Sequence, residues 1–208
     1  MGDFESIDHV YRSRITLLDI LEERGYDVAR FRKFSPAEIV AAATSPHFEG
    51  LSFKTTKRDD VTQTIQVQYA SYPKAQLLHA LQETMESEDP AKFELIVMMH
   101  APVVDQHHDA ARRLFLSGRH RISFFSFFHL VNNPLRHVLV PKHVIVPKDD
   151  HEALMETYNL TSIAKFPMIR YHIDPIVRIL GAIPGDILKI TRPSPTSGTY
   201  DIYRVVVP

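Results

Sequence analysis

Residues 93–99, Phe93-Glu94-Leu95-Ile96-Val97-Met98-Met99, form a short and almost continuous apolar run near the middle of the chain. Such a run is typical of a strand that is buried on both faces of its sheet. Helical patterns flank it at residues 73–87 and at Asp105 to Leu116. The run and its flanking helices therefore predict a mixed α/β layer.

Two more strands are predicted before this run, at Leu51 to Lys57 and at Val61 to Ala70, around a polar Arg58-Asp59-Asp60 turn. Residues 9–25 have the amphipathic pattern of a helix. A second helix is predicted to open at Ser35-Pro36-Ala37-Glu38, which combines a capping serine, a first-turn proline and the glutamate of a capping box.

A turn-forming Asn132-Asn133-Pro134 cluster follows the next predicted strand, Ile122 to Phe128. We place a domain boundary at this cluster. Residues 1–133 are then a mixed α/β domain and residues 134–208 a small β-rich domain, so the predicted fold class is α/β (α+β).

The second domain, residues 134–208, is predicted to contain many short elements. Strand pieces are predicted within Val138 to Val146 around Pro141, and a short helix at Asp149 to Tyr158. Ile187 to Thr191 and Tyr200 to Val207 are predicted strands, joined as a hairpin with a long loop rich in Pro, Ser, Thr and Gly. The pattern indicates a small, partly open β module.

Composition excludes several classes of protein. The 24 Lys and Arg residues are balanced by 25 Asp and Glu residues, whereas free-standing nucleic-acid binders usually carry a positive excess. Cysteine is absent, which removes disulfides, cysteine-based zinc sites and thiol catalysis. Because no apolar run approaches the ~20 residues of a membrane span, no membrane association is predicted.

The sequence offers little catalytic chemistry. It has no Gly-x-Ser-x-Gly turn and no glycine-rich phosphate loop, so we expect no catalytic residue, cofactor or small-molecule substrate. His107 and His108 are adjacent and point about 100° apart on a helix, so a shared metal is not expected. His137 and His143 are separated by Pro141, and we expect no metal there either.

The order of elements in residues 36–99 is that of nuclease-like α/β cores. A metal-dependent nuclease needs carboxylates on its central strands, but Val61 to Ala70 carries threonines and glutamines instead. Asp59 and Asp60 lie in the preceding turn, where a solvated role explains them. This core is therefore predicted to brace or bind DNA without cutting it, although a free-standing nuclease-like DNA-binding protein is the alternative.

Basic and aromatic residues are scattered. The densest basic group is Arg112-Arg113 with residues 119–121, and it is suited either to phosphates or to an ordinary charged helix end. Four phenylalanines at 124, 125, 127 and 128 suggest a platform for stacking bases, but they are better explained by a buried strand.

Five blocks in the last seventy or so residues resemble one family. They are His137–His143, Phe166–Ile169, Asp174–Gly181, Gly185–Ser194, and the ending with Gly198, Tyr200, Tyr203 and Arg204. Together they resemble RNA polymerase subunit 5, the small subunit shared by the three eukaryotic nuclear enzymes, which also has an archaeal counterpart. The agreement of five blocks in the same order is very specific.

The first 130 residues resemble the jaw domain of the eukaryotic family more loosely, at Arg24-Gly25-Tyr26, at Val28, and at Glu94 to Met99 followed by Pro102. The resemblance implies a nuclease-like fold without an active site, with Ala101-Pro102-Val103 near downstream DNA. Because the archaeal counterpart lacks a jaw, it also implies a eukaryotic polymerase, in the nucleus, or one from a large DNA virus, in the virion or host cytoplasm.

The resemblance implies a non-catalytic polymerase subunit. Its partners would be the largest subunit, on which residues 134–208 dock, the other polymerase subunits, and downstream double-stranded DNA. The implied DNA-proximal residues are Pro102, Val103, Arg112 and Arg113. The implied subunit-interface residues are His137, Pro141, His143, Pro167, Asp174, Pro175, Arg178, Gly181, Lys189, Arg192, Pro193, Ser194, Tyr200 and Arg204. For the cationic residues among them, internal bracing and pairing with a partner's carboxylate are equally open.

Overall fold

A computed structural model describes residues 2–43, 46–70, 83–196 and 198–208. The chain divides into two compact units, Met1–Asn133 (unit 1) and Pro134–Pro208 (unit 2). Each unit contains helices and a four-stranded sheet, which confirms the predicted α/β class. No helix in the described ranges has the length and apolarity required to cross a membrane.

Unit 1 is built on one sheet in the order β1-β2-β3-β4. β1 and β2 are antiparallel, whereas β2, β3 and β4 are parallel. The elements are α1 (Gly2–Glu23), α2 (Pro36–Ala43), β1 (Phe53–Thr56), β2 (Thr64–Ala70), β3 (Phe93–Met99), α3 (Asp105–Gly118) and β4 (Arg121–Ser126).

β3 is buried at every position, so the prediction from its apolar run is confirmed. Leu95, Val97 and Met99 belong to a core cluster that also includes Ala111 of α3 and Phe124 of β4. Burying such side chains contributes about 1.5–3 kcal/mol each, which makes this strand the centre of the unit.

Several predicted boundaries shift. The first helix already begins at Gly2, and β4 ends at Ser126, where a 3-10 helix, Phe127–Leu130, follows. The predicted capping box is present: the backbone N–H of Ser35 donates to Glu38 Oε2 at 2.7 Å, and that of Glu38 to Ser35 Oγ at 3.3 Å. Of the predicted helix at 73–87, residues 73–82 lie outside the described residues, and residues 83–86 are helical.

Unit 2 is also built on a four-stranded sheet, in the order β5-β7-β8-β6. Leu188 and Val206 face one apolar cluster, whereas Ile187 and Val205 face another, so the sheet is covered on both sides. The elements are β5 (Lys142–Ile145), α4 (His151–Thr157), β6 (Met168–Arg170), α5 (Pro175–Leu180), β7 (Ile187–Ser194) and β8 (Gly198–Val207).

The predicted long hairpin loop is wrong. Strands β7 and β8 continue until Ser194 lies opposite Gly198, so the connection is short. Pro193 is tolerated within β7 because the pairing with β5 ends at Thr191, and a residue without an N–H interrupts no bond beyond that point. Gly198 has a φ of 73°, a left-handed conformation that favours glycine where the chain reverses.

Candidate functional sites

Pro102 and Val103 lie between the end of β3 and the start of α3. Because β2, β3 and β4 are parallel, this connection is at the edge where their carboxyl ends meet. Pro102 is exposed, whereas Val103 is partly buried against the core cluster of unit 1. One residue of the predicted pair is thus presented to solvent and the other anchors the loop.

A buried histidine holds this loop in place. The backbone N–H of Val104 donates to Nδ1 of His107 at 3.1 Å, and the imidazole packs on Phe124 with ring centroids 5.3 Å apart. Burial lowers the pKa of His107 below its ordinary value, since the charged form loses hydration. Sequence reasoning placed this histidine on a helix but missed its part in shaping the loop.

The predicted basic group does not form one patch. Arg112 and Arg113 are exposed on α3, but Arg112 lies ~10 Å along the helix from its start at Asp105. Arg121 instead begins β4, at the opposite edge, and donates to the carbonyl of Ala91 at 3.4 Å. The structure therefore separates Arg121 from Arg112 and Arg113, and all three from the Pro102 loop.

Of the four clustered phenylalanines, only Phe128 is substantially exposed, at 52%. The strand ends before it, and the 3-10 turn directs its ring outward, where it meets His9 at 4.9 Å and His100 at 6.0 Å between ring centroids. The other three are buried, so the alternative of a base-stacking platform is not supported by their positions.

The one carboxylate on the central strand is occupied by cations. Glu94 in β3 is 1% exposed and accepts two hydrogen bonds from Arg24, at 3.1 and 2.5 Å. Arg121 Nη1 lies 3.9 Å from the same carboxylate. Among the described residues, no group of three or more His, Cys, Asp or Glu side chains is placed to hold a metal ion.

Four of the predicted interface residues of unit 2 lie in α5 or directly at its ends. Asp174 caps the helix by accepting from the N–H groups of Ile176 and Val177, at 2.9 and 3.2 Å, and Pro175 occupies its first turn. Gly181, with a φ of 70°, ends it. Arg178 is buried between them, and burial lowers the pKa of its guanidinium to about 10. These positions favour internal bracing.

A second group lies toward the hairpin end of β7 and β8. Arg192 is paired in register with Tyr200, and both side chains are exposed. Pro193 and Ser194 follow Arg192 in the same strand. Within the part of the chain that the structure describes, the side chain of Arg192 makes no ion pair or hydrogen bond, so its five guanidinium N–H donors are available.

Lys189 differs, because it binds Asp201 at 2.8 Å on the opposite face of the hairpin. The hydrogen bond to Asp201 raises the pKa of Lys189, and the same bond lowers the pKa of Asp201. Pro167 and Arg204 join β6 to β8: Val205 N–H donates to the Pro167 carbonyl at 2.9 Å, and Arg204 Nη1 to that of Met168 at 3.0 Å.

The segment before β5 is a turn rather than a strand piece. Leu139 N–H donates to His137 Nδ1 at 3.2 Å, and the Pro141 carbonyl lies 2.7 Å from His143 Nδ1. The turn leaves Val138 and Leu139 at 91% and 82% exposure. Sequence reasoning missed this apolar tip, although its two residues stand inside one of the resembling blocks.

Comparison with known proteins identifies the second unit. The family model described as RNA polymerase Rpb5, C-terminal domain, matches residues 132–206. The DNA-directed RNA polymerase subunit Rpo5 of Pyrococcus horikoshii is 52% identical over 75 residues, which cover 36% of this chain and 89% of that subunit. The chain belongs to the Rpb5 family of RNA polymerase subunits.

Eukaryotic members of the Rpb5 family match both units. The DNA-directed RNA polymerases I, II, and III subunit rpabc1 of Dictyostelium discoideum is 26% identical over 203 residues, covering 98% of this chain and 100% of that subunit. The corresponding subunit RPABC1 of Caenorhabditis briggsae is 26% identical over 208 residues, covering 95% of each chain. The resemblance found in the sequence is thereby confirmed.

Proposed function

We propose that this Rpb5-family chain is a non-catalytic subunit of a multisubunit DNA-directed RNA polymerase, in which unit 2 docks on the largest subunit. The observation that carries the proposal is the match of residues 132–206, nearly the whole of unit 2, to the Rpb5 C-terminal domain. The pairing of Glu94 with Arg24 speaks against the free-standing nuclease, because that carboxylate is not available to a metal.

Within unit 2, Arg192 and Tyr200 are the proposed centre of the docking surface. Their side chains are exposed and adjacent, and a guanidinium beside an aromatic ring is a frequent anchor of protein interfaces. The buried Arg178 has a supporting role in this proposal, since it holds α5 rather than a partner.

The docking test uses the tagged chain, expressed in the cells from which it comes. The wild-type chain should co-purify with the largest polymerase subunit, and Arg192→Ala should reduce that recovery on the order of tenfold. Arg170→Ala, an exposed arginine on the opposite edge strand β6, is the matched control and should assemble normally. A wild-type chain that never travels with polymerase subunits would contradict the proposal.

Unit 1 is proposed to face downstream DNA through the exposed edge that carries Pro102. Support comes from the position of this loop at the carboxyl edge and from the full-length match to eukaryotic polymerase subunits. A photoreactive residue at position 102 in the assembled polymerase should crosslink to downstream DNA. The same residue at Lys92, at the other end of β3, should not. Equal crosslinking from both positions would refute this orientation.

The cellular location is part of the same proposal. Because eukaryotic relatives match the chain over nearly its whole length, we propose the nucleus as its site. The virion and host-cytoplasm alternative stays a prediction, and immunofluorescence of the tagged chain in its source cell distinguishes the two.

A further inference from the structure

β5 is an edge strand whose outer side is open. It pairs with β7 from Lys142 opposite Thr191 to Ile145 opposite Leu188. Val146 N–H continues this ladder by donating to the Ile187 carbonyl at 2.8 Å. Since inward and outward backbone groups alternate in an antiparallel pair, those of Val144 face β7, while those of His143 and Ile145 face outward.

The open side is protected only by the shortness of β5, which has four residues, and by Lys142 at its first position. Edge strands are commonly blunted by an internal proline, a bulge or a covering segment. The prolines here, Pro141 and Pro147, flank β5 without interrupting it, and no strand in the described ranges pairs with its outer side. Two N–H donors and two carbonyl acceptors are therefore left for an added strand.

An apolar groove of about 410 Å³ lies beside this strand. The groove runs between β5 and α4. The side chain of Val144 is 44% exposed and lies on the face of the sheet that borders the groove. A residue placed opposite Val144 on an added strand would direct its side chain into the groove. The residues that line it include Val144, Asp150, Ala153, Leu154, Lys189 and Tyr203.

The charged residues near β5 indicate which kind of segment could add to it. Residues 134–148 carry Arg136, Lys142 and Lys148 together with His137 and His143, and they include no Asp or Glu. Lys142 and Lys148 are exposed. Asp149 and Asp150 follow directly, and Asp150 lines the groove, so the excess of positive charge lies toward the Lys142 end of β5. A segment that lies along β5 therefore gains from acidic residues at that end.

We propose that an extended segment of another polymerase subunit, carrying acidic residues and at least one apolar side chain, adds to β5 as a fifth strand. The backbone of this segment forms hydrogen bonds with the backbone groups of His143 and Ile145. Its apolar side chain fills the groove, and its acidic residues lie near Lys142. This inference rests on the proposed function, because the occupant is a polymerase chain.

Residue-resolved hydrogen exchange on the wild-type chain tests the added strand, first free and then within the purified polymerase. In the free chain, the amide of Val144 should exchange slowly and those of His143 and Ile145 fast, because only the former is paired. Assembly should slow His143 and Ile145 by at least about tenfold, as new backbone bonds form. Val144 serves as the internal reference.

The groove is tested with Ala153→Phe, which fills it, against Glu156→Phe, which adds the same ring on an α4 residue outside the lining. The first variant should lower recovery with the polymerase about fivefold or more, and the second should not. Both should retain the free chain's exchange pattern at Val144, which shows that they are folded.

Each outcome of these experiments supports or refutes the added strand. Slower exchange at His143 and Ile145 on assembly supports the added strand. Normal assembly with unchanged exchange at both amides overturns the inference and leaves the proposed function standing. Protection of both amides in the concentrated free chain makes a second copy the occupant, and absence of polymerase subunits from the purified sample refutes the proposed function and the occupant together.

Discussion

Replacing Arg24 with methionine tests how the Rpb5-family chain maintains a carboxylate inside its first unit. Glu94 is almost completely buried, and Arg24 supplies its two hydrogen bonds. Removing one partner of a buried ion pair typically costs 3–5 kcal/mol, because the other charge stays desolvated. Arg121, at 3.9 Å, offsets part of this loss, so we expect unit 1 to lose roughly 3 kcal/mol.

The free energy of unfolding is measured by urea titration, with hydrogen exchange at the β3 amides as the readout, because two compact units need not unfold in one step. The double variant Arg24→Met with Glu94→Leu should regain part of the loss, since the buried carboxylate is removed while Arg121 loses its 3.9 Å contact with Glu94. Arg58→Met is the matched control, because Arg58 pairs with Glu22 at the surface, and it should cost less than about 1 kcal/mol.

Two results would refute this reasoning. One is a loss below about 1 kcal/mol for Arg24→Met, which would mean that water or another group solvates Glu94. The other is a double variant as unstable as the single one, which would assign the loss to packing.

Three more predictions concern histidine, a helix cap and a buried arginine. Because burial lowers the pKa of His107, unit 1 should have its full stability above about pH 6.5 and lose part of it as the pH falls further. His107→Gln should reduce the difference between urea midpoints at about pH 7.5 and pH 5.5, and an unchanged difference would contradict this role. Asp174→Ala should cost unit 2 about 1 kcal/mol in urea unfolding followed at the β7 amides, and Asp174→Asn much less, because asparagine still accepts the capping bonds; equal losses would exclude the cap. Arg178→Ala should lower the same free energy by roughly 2–4 kcal/mol through lost packing, while Arg192→Ala changes it by less than ~0.5 kcal/mol. Comparable losses would reverse the roles assigned to these two arginines.

Local patterns were sufficient to predict the elements that packing reinforces. The apolar run at β3 and the capping box at Ser35 both appear as predicted, because burial and a local hydrogen bond act on the same residues that carry the pattern. The hairpin of unit 2 was mispredicted because Pro193 was treated as a loop residue. A proline within β7 would be unfavourable where β5 pairs with it, but that pairing does not extend beyond Thr191.

The exposure of the candidate interface residues was not predictable from the sequence. Arg178 and Arg192 each stand in one of the resembling blocks, yet Arg178 is buried and Arg192 is exposed. No periodicity in the sequence distinguishes them, because the difference depends on which face of α5 or β7 meets another element. The groove beside β5 was likewise not predicted, since the segment 144–157 forms it together with Lys189 and Tyr203, which are distant in sequence.

The connectivity of the two sheets has a consequence for how the chain reaches its native state. In unit 1, Thr64 must find Phe93 and Glu94 must find Arg121, so its parallel pairings wait for long stretches of chain to be ordered. In unit 2, the contact of Ser194 with Gly198 closes almost at once and can propagate along β7 and β8. The β7–β8 hairpin is therefore expected to form first within unit 2, before β5 and β6 pair with residues that are more distant in sequence.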